Sequence, residues 1–254
     1  VEIYTLKLNT SGTVLWTSKT QGLTDDRATG YQLSLDSFGN TYVLGVNYNE
    51  ERYERNKMIL LKYNAGGSLV WERRFSNAVD YYGYGTTAPD TDLPKLKIIN
   101  DEIYVLNIGY KDLPFDAYVT PVEIRKFDLD GNETLFKAFD CTACTQKMFV
   151  RDFCVGSNGN IYVLYNQYQT TSTVGIDVKT NVTSLSQAGD VLWENIKTYD
   201  DYQGFISDGS ISIGPGNELY TITASATKLE YSKISSSGAT LWSKEEPLEG
   251  YIDD

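Results

Sequence analysis

Two short motifs alternate along the chain, and internal repetition of this kind restricts the possible fold more than any other property of the sequence. The first runs Leu33-Ser-Leu-Asp-Ser-Phe-Gly-Asn-Thr-Tyr-Val-Leu-Gly45 and returns as Phe153-Cys-Val-Gly-Ser-Asn-Gly-Asn-Ile-Tyr-Val-Leu-Tyr165. Looser copies are Leu96 to Leu106 and Ile211 to Ile222, so the motif tyrosines Tyr42, Tyr104, Tyr162 and Tyr220 recur about every 60 residues. The second motif reads Asn9-Thr-Ser-Gly-Thr-Val-Leu-Trp16, then Asn64 to Trp71, Ser186 to Trp193 and Ser235 to Trp242, with Asp128 to Phe136 as a copy that ends in Phe. Each copy of either motif is two β-rich runs joined by a Gly, Asn or Asp turn, which is the pattern of a hairpin. Strand-type alternation, as in Ile3 to Leu8 and Met58 to Tyr63, replaces helical periodicity throughout.

Two hairpins per repeat give four antiparallel strands, the signature of a propeller blade. The expected fold is therefore all-β, a β-propeller of four-stranded antiparallel blades. It has an N-terminal half blade over 1–22 and four blades over about 23–78, 79–139, 140–198 and 199–248, the whole of 1–254 forming a single unit. That makes eighteen strands, which four does not divide, and few residues follow Trp242. The sequence therefore leads us to expect a segment of a longer propeller, or a blade completed by another chain, since an open blade leaves an unpaired edge.

The run D-x-x-G-N-x-Y-V-x-G from Asp36 to Gly45, followed by the strand and turn from Leu61 to Trp71, resembles the bacterial propeller repeat of the SBBP type. The resemblance implies blade structure over nearly the whole chain and supplies no catalytic residue. The G-x-x-x-W ending is also similar to that of quinoprotein propellers, but their tryptophan-docking spacing is incomplete here, so no cofactor is implied. Fold likeness does not bring chemistry with it.

Composition narrows the chemistry. There is no His, which excludes Ser-His-Asp and Cys-His nucleophiles and His-ligated metals. With 22 Lys+Arg against 34 Asp+Glu, the net charge of -12 disfavours nucleic acid. No apolar run is long enough for a membrane-spanning helix. The usage of Tyr, Thr, Asn and Gly leans towards an extracellular or cell-surface protein.

The tryptophans Trp16, Trp71, Trp193 and Trp242 read as packing between neighbouring blades rather than as a stacking surface for sugars. Cys141 and Cys144 form a C-x-x-C pair in a loop, open to a disulfide in an oxidising compartment. Cys154 aligns with Ser34 and Ser212 and is expected as a small residue on a tightly packed inner strand. Asp128 to Asn132 has the start of a calcium loop without its closing acid, so it reads as a turn. Sequons at Asn9, Asn132 and Asn181 are candidate glycosylation sites, the first two in hairpins.

The segments that return from the outermost strand of one blade to the next carry a recurring acid. Asp25, Asp26, Asp80, Asp140, Asp200 and Asp201, with Tyr81, Tyr82, Tyr199 and Tyr202 interleaved, are the candidate ligand-binding set. Carboxylates suit a hard cation such as calcium, and acids beside tyrosines suit a sugar or a basic ligand. The expected function is a non-catalytic binding or adhesion module for protein or carbohydrate, not an enzyme. Two other readings stand beside it: a structural subunit of a surface assembly or filament, completed by strand pairing with a neighbouring chain, and a polysaccharide-acting hydrolase.

Overall fold

The computed structural model describes residues 2–21, 27–48, 57–77, 94–108, 111–112, 118–119, 122–139, 147–171, 175–199, 206–225 and 227–248. Among them there is no helix. The chain opens with the hairpin β1 (Glu2–Leu8) and β2 (Val14–Gln21), a two-stranded sheet. Four antiparallel four-stranded sheets follow. The first holds β3 (Arg27–Leu35), β4 (Thr41–Tyr48), β5 (Lys57–Tyr63) and β6 (Leu69–Asn77) in sequence order. The second is formed by β7 (Lys95–Ile99), β8 (Glu102–Ile108), β11 (Val122–Phe127) and β12 (Glu133–Phe139). Between β8 and β11 the chain adds a two-residue ladder, β9 (Lys111–Asp112) with β10 (Tyr118–Val119), which the motif pattern does not announce.

The third sheet is β13 (Lys147–Val155), β14 (Ile161–Thr171), β15 (Gly175–Leu185) and β16 (Val191–Tyr199). The fourth is β17 (Ile206–Ile213), β18 (Leu219–Ser225), β19 (Lys228–Ile234) and β20 (Thr240–Pro247). We call these blades one to four, and the β1–β2 pair the half blade. Contacts gather the chain into two compact units. One comprises Val1–Thr86, Leu93–Tyr110 and Glu123–Phe136; the other comprises Thr87–Asp92, Lys111–Val122 and Lys137–Asp254.

One turn is used again and again to close these hairpins. At Asn9–Thr13 the Gly12 amide donates to the Asn9 carbonyl at 3.0 Å, the Asn9 amide to the Thr13 carbonyl at 2.9 Å, and Gly12 sits at φ +80°. The pattern recurs from Asp36, Asn64, Asp128, Gly156, Ser186, Gly214 and Ser235. A left-handed residue is needed one place before the turn closes, which is why Gly stands there in seven copies and Asn217, at φ 58°, in the eighth. The β7–β8 hairpin is tighter and uses Asn100 and Asp101 at φ 52° and 57° instead.

Each unit has its own core. Tyr42, Leu44, Met58, Leu60, Ile103 and Val105 are fully buried between blades one and two, with Trp71 and Phe75 packed against them. Tyr162, Leu164, Val182, Leu219 and Ile234 form the equivalent layer between blades three and four, with Trp193 against it. Ile3, Ile59, Leu61 and Tyr63 join the half blade to blade one beside Trp16. Cys154 is buried in the blade-three layer and pairs in register with Tyr162, as Ser34 does with Tyr42 and Ser212 with Tyr220.

Three of the four tryptophans behave as the motif suggested, while Trp242 is 41% exposed. The indole N–H of Trp16 donates to the Ala65 carbonyl at 3.1 Å, that of Trp71 to Leu129 at 3.1 Å, and that of Trp193 to Ser236 at 3.0 Å. In each case the acceptor lies in the Gly-containing turn of the next blade. A Cβ placed on Gly67 would lie 2.5 Å from the Trp16 indole, and one on Gly238 would lie 2.7 Å from Trp193. The glycine therefore does two things: it adopts the left-handed turn and it leaves room for the preceding indole.

Candidate functional site

In each blade the tight turns lie at one end of the sheet, and the connection from second to third strand and the return to the next blade leave from the other. The candidate acids and tyrosines occupy those returns. Asp25, Asp26, Asp80, Tyr81, Tyr82, Asp140, Asp200, Asp201 and Tyr202 fall outside the described residues, as do Cys141 and Cys144. Tyr199, the last residue of β16, is the member of the set that the structure describes.

Tyr199 anchors a polar network between blades three and four. Its hydroxyl donates to Glu230 Oε2 at 2.6 Å, across from β16 to β19. Burial, and then the Glu230 carboxylate, hold this hydroxyl protonated far above the ordinary phenol range. Glu230 is 6% exposed, and its other oxygen takes Lys197 Nζ at 2.6 Å and the Ser243 hydroxyl at 3.1 Å. These partners supply the opposite charge and hydrogen bonds that offset the desolvation of a buried carboxylate. Lys197 also reaches Glu245 at 3.4 Å, and Lys228 reaches Glu245 at 2.9 Å. Both ammonium groups lie over the Tyr199 ring, 5.0 and 5.7 Å from its centroid. The Lys228 hydrogen bond is the main reason that Glu245 sits below the usual carboxylate range.

The network runs inward across blade three. Thr180 on β15 hydrogen-bonds Tyr199 and accepts from Asn166 Nδ2 at 2.9 Å. Asn166 on β14 in turn accepts from Arg151 Nε at 2.6 Å. Arg151, on the first strand of the blade, is 2% exposed and Asn166 is fully buried. A polar line thus crosses the sheet strand by strand from Arg151 to Glu230. At its outer end Lys197 and Glu245 keep solvent access, with side chains 40% and 47% exposed. Paired ammonium and carboxylate groups of this kind can donate to and accept from neighbouring hydroxyls of a polyol.

Sequence reasoning did not find Arg151, Asn166, Thr180 or Glu230. The available signal was a polar residue inside an otherwise apolar strand, as in Met148-Phe-Val-Arg-Asp-Phe and Tyr162-Val-Leu-Tyr-Asn166. Asn107 in β8 carries the same signal: it is 1% exposed, and neither atom of its amide has a hydrogen-bond partner among the described residues. No group of three metal-capable His, Cys, Asp or Glu side chains occurs among the described residues.

The sequons are placed unequally. Asn9 and Asn132 are exposed in their turns, where Asn9 Oδ1 accepts from the Ser11 and Thr13 amides and Asn132 Nδ2 donates to Asp128 Oδ2. Asn181 requires a correction. It lies in the middle of β15, paired with both neighbouring strands and 2% exposed, so a glycan on its amide has no room in the folded blade. Asp128 organises its turn through the Asp130 and Asn132 amides.

Successive four-stranded antiparallel blades, joined by a repeated inter-blade contact, define a β-propeller. Solved structures agree with this. The chain is similar to a protein of unknown function from Dyadobacter fermentans, at 10% identity over 87% of this chain and 69% of that one, with a TM-score of 0.54. It is also similar to an α-L-arabinofuranosidase from Fusarium graminearum solved with an iminosugar inhibitor, at 11% identity over 97% and 70% of the two chains and a TM-score of 0.50. A polysaccharide lyase gives 12% identity over 85% of this chain and 48% of that one, also with a TM-score of 0.50. No family model matches the chain. No curated protein matches it either. These likenesses establish the fold, and they include enzymes among the proteins that share it.

Proposed function

We propose that this chain is a carbohydrate-binding β-propeller of the SBBP type, working outside the cell or at its surface, with its ligand on the face from which the inter-blade returns emerge. The observation that carries the reading is the Tyr199–Glu230–Lys197–Glu245 cluster, which has charged groups with solvent access and whose Tyr199 directly precedes, in the sequence, Asp200 and Asp201, members of an acid recurrence seen blade after blade. The exposed carboxylate and ammonium groups of the cluster can accept from and donate to the hydroxyls of a sugar. Calcium is an added candidate, through the carboxylates of the returns.

The test is a glycan array followed by calorimetry, with and without calcium, on the wild type and on a variant carrying Asp200→Asn with Asp201→Asn. Binding that is lost in the variant while its melting temperature without calcium stays unchanged supports the reading. An absence of glycan binding by the wild type overturns it. A second reading, a polysaccharide-acting enzyme, takes its support from the arabinofuranosidase and the polysaccharide lyase with which this fold is shared. Release of new sugar ends from a bound polysaccharide would put it first.

A further inference from the structure

The seam between blades one and two and the seam between blades three and four, each built from residues of one compact unit, differ at the end away from the tight turns. In blade one the register sets Val46 beside Met58 and Met58 beside Phe75, and Tyr31 stands at a bulge of the inner strand, between Gly30 and Gln32. Val46 and Met58 belong to the apolar core shared with blade two, and Tyr31 and Phe75 pack against it. Blade three repeats the register and the bulge with other residues. Asn166 lies beside Thr180, Thr180 beside Lys197, and Arg151 at the bulge between Val150 and Asp152. One chain thus holds both solutions, and the first shows that apolar side chains suffice to close such a seam. Apolar residues in place of buried polar groups usually cost no stability, so packing alone does not account for the polar set.

The hydrogen bonds of the polar set all run one way. A guanidinium can only donate, so Arg151 Nε gives its hydrogen to Asn166 Oδ1, at 2.6 Å. That leaves Asn166 Nδ2 to donate to Thr180 Oγ1, at 2.9 Å. At the other end a carboxylate beside an ammonium only accepts, so the Tyr199 hydroxyl commits its one hydrogen to Glu230 Oε2. The bond between Thr180 and Tyr199 must then carry the Thr180 hydrogen. Each member is committed by the one before it, and hydrogen bonds aligned in this way polarise one another. Without Arg151 the Asn166 amide is free to turn over and Thr180 to donate to it instead. Tyr199 then loses a donor.

We infer that Arg151, Asn166 and Thr180 are positioning residues for the ligand cluster: from within blade three they fix the Tyr199 hydroxyl on Glu230, and Glu230 in turn holds Lys197, which keeps solvent access. The inference deepens the carbohydrate reading and rests on it for the ligand alone.

Substitutions along the line test it. Thr180→Val keeps the outline of the side chain and removes the hydroxyl, and Thr180→Ser restores the hydroxyl. With tyrosine isotopically labelled at Cζ, and Tyr199→Phe to assign its resonance, the Tyr199 signal is expected to shift in Thr180→Val and to return in Thr180→Ser. Arg151→Met, three hydrogen bonds away from Tyr199, should move the same signal, but not in a chain that already carries Thr180→Val. Affinity for a glycan bound by the wild type is expected to fall roughly tenfold in Thr180→Val and in Arg151→Met, and to stay near the wild-type value in Thr180→Ser. A Tyr199 signal unmoved by either loss, an affinity unchanged although the signal has moved, or a serine that fails to rescue would each overturn the inference. A wild type that binds no glycan fails the carbohydrate reading instead, and the Tyr199 signal then decides on the line by itself. If a single variant does not fold, the blade-one residues are grafted together as Arg151→Tyr, Asn166→Val and Thr180→Met. The same shift and the same loss are expected of the graft, and wild-type behaviour in it would refute the assignment.

Discussion

Tyr42 and Tyr162 occupy the same place in their blades and are both fully buried, but their hydroxyls meet different fates. The Tyr42 hydroxyl donates to Asp36 Oδ2 at 3.0 Å, and the same carboxylate accepts from the Phe38 and Asn40 amides and from Asn40 Nδ2. This explains the spacing of Asp36, Gly39, Asn40 and Tyr42: it is one hydrogen-bonded unit. Blade three has Gly156 where blade one has Asp36, and the Tyr162 hydroxyl has no partner among the described residues. Tyr42→Phe is therefore expected to cost about 1–2 kcal/mol, whereas Tyr162→Phe is neutral or stabilising, because it removes a buried polar group that makes no bond. Urea titration of both variants checks the contrast, and equal losses would refute it. Burial, the largest single influence on the Asp36 carboxyl, acts to raise its pKa, but the bonds from Asn40, Tyr42 and Phe38 together outweigh it and leave the pKa lowered. A depressed folded value means that the stabilisation is complete above the unfolded value of about 3.9 and is lost as the pH falls through the folded one. Asp36→Asn should flatten that part of the acid limb in thermal melts between pH 5 and pH 2, values chosen to bracket roughly that range. The motif was legible because every member lies within seven residues of the next strand's tyrosine. The unbonded Tyr162 was not, since the sequence displays Gly156 but not whether another group takes the place of the acid.

At the scale of the element, the contact that matters is between blades. Trp71 packs on Tyr42 at 5.8 Å between ring centroids and bonds a carbonyl in the following blade. Trp71→Ala is expected to cost about 3–5 kcal/mol, the usual loss for a large aromatic removed from a packed site. Gly67→Ala should cost more than about 1 kcal/mol, because it combines a Cβ at positive φ with a collision against Trp16. It should also shift the Trp16 emission to the red, while an equally strained alanine at Gly39, where a Cβ has open space, should leave the indoles unchanged. The sequence shows the Gly and the Trp four residues apart, which invites pairing them within one turn. In the structure they are not partners: the Trp16 bond reaches forward 49 residues and the Trp71 bond 58. Periodicity reveals that such residues matter and is silent about which copy each one meets. The same limit hid the line from Arg151 to Glu230, which exists only because cross-strand register sets Asn166 beside Thr180. Asn181 was misjudged for a related reason, since a sequon carries no mark of the strand that buries it.

For the whole molecule, charge sets the expectation. A net charge of -12 on 254 residues opposes compaction by self-repulsion, and added salt screens it. The melting temperature should rise by a few degrees, roughly the equivalent of 1 kcal/mol, between low and physiological ionic strength. A flat response in differential scanning would show that the carboxylates are already neutralised by local partners such as Lys197 and Lys228. The blade plan was readable from the tyrosine and tryptophan motifs, while the small β9–β10 ladder had no motif to announce it. The acids of the returns were visible as a recurrence, and the role assigned to them rests on that recurrence together with the Tyr199 cluster. The placing of tryptophan and glycine in different copies also bears on how such a chain can be inherited. A duplicated segment cut at the same point in each repeat carries the forward half of one junction and the backward half of another. It meets correct neighbours on both sides as soon as it is inserted, so the genetic unit of growth is the joint rather than the blade, and copies can be gained or lost without any compensating mutation.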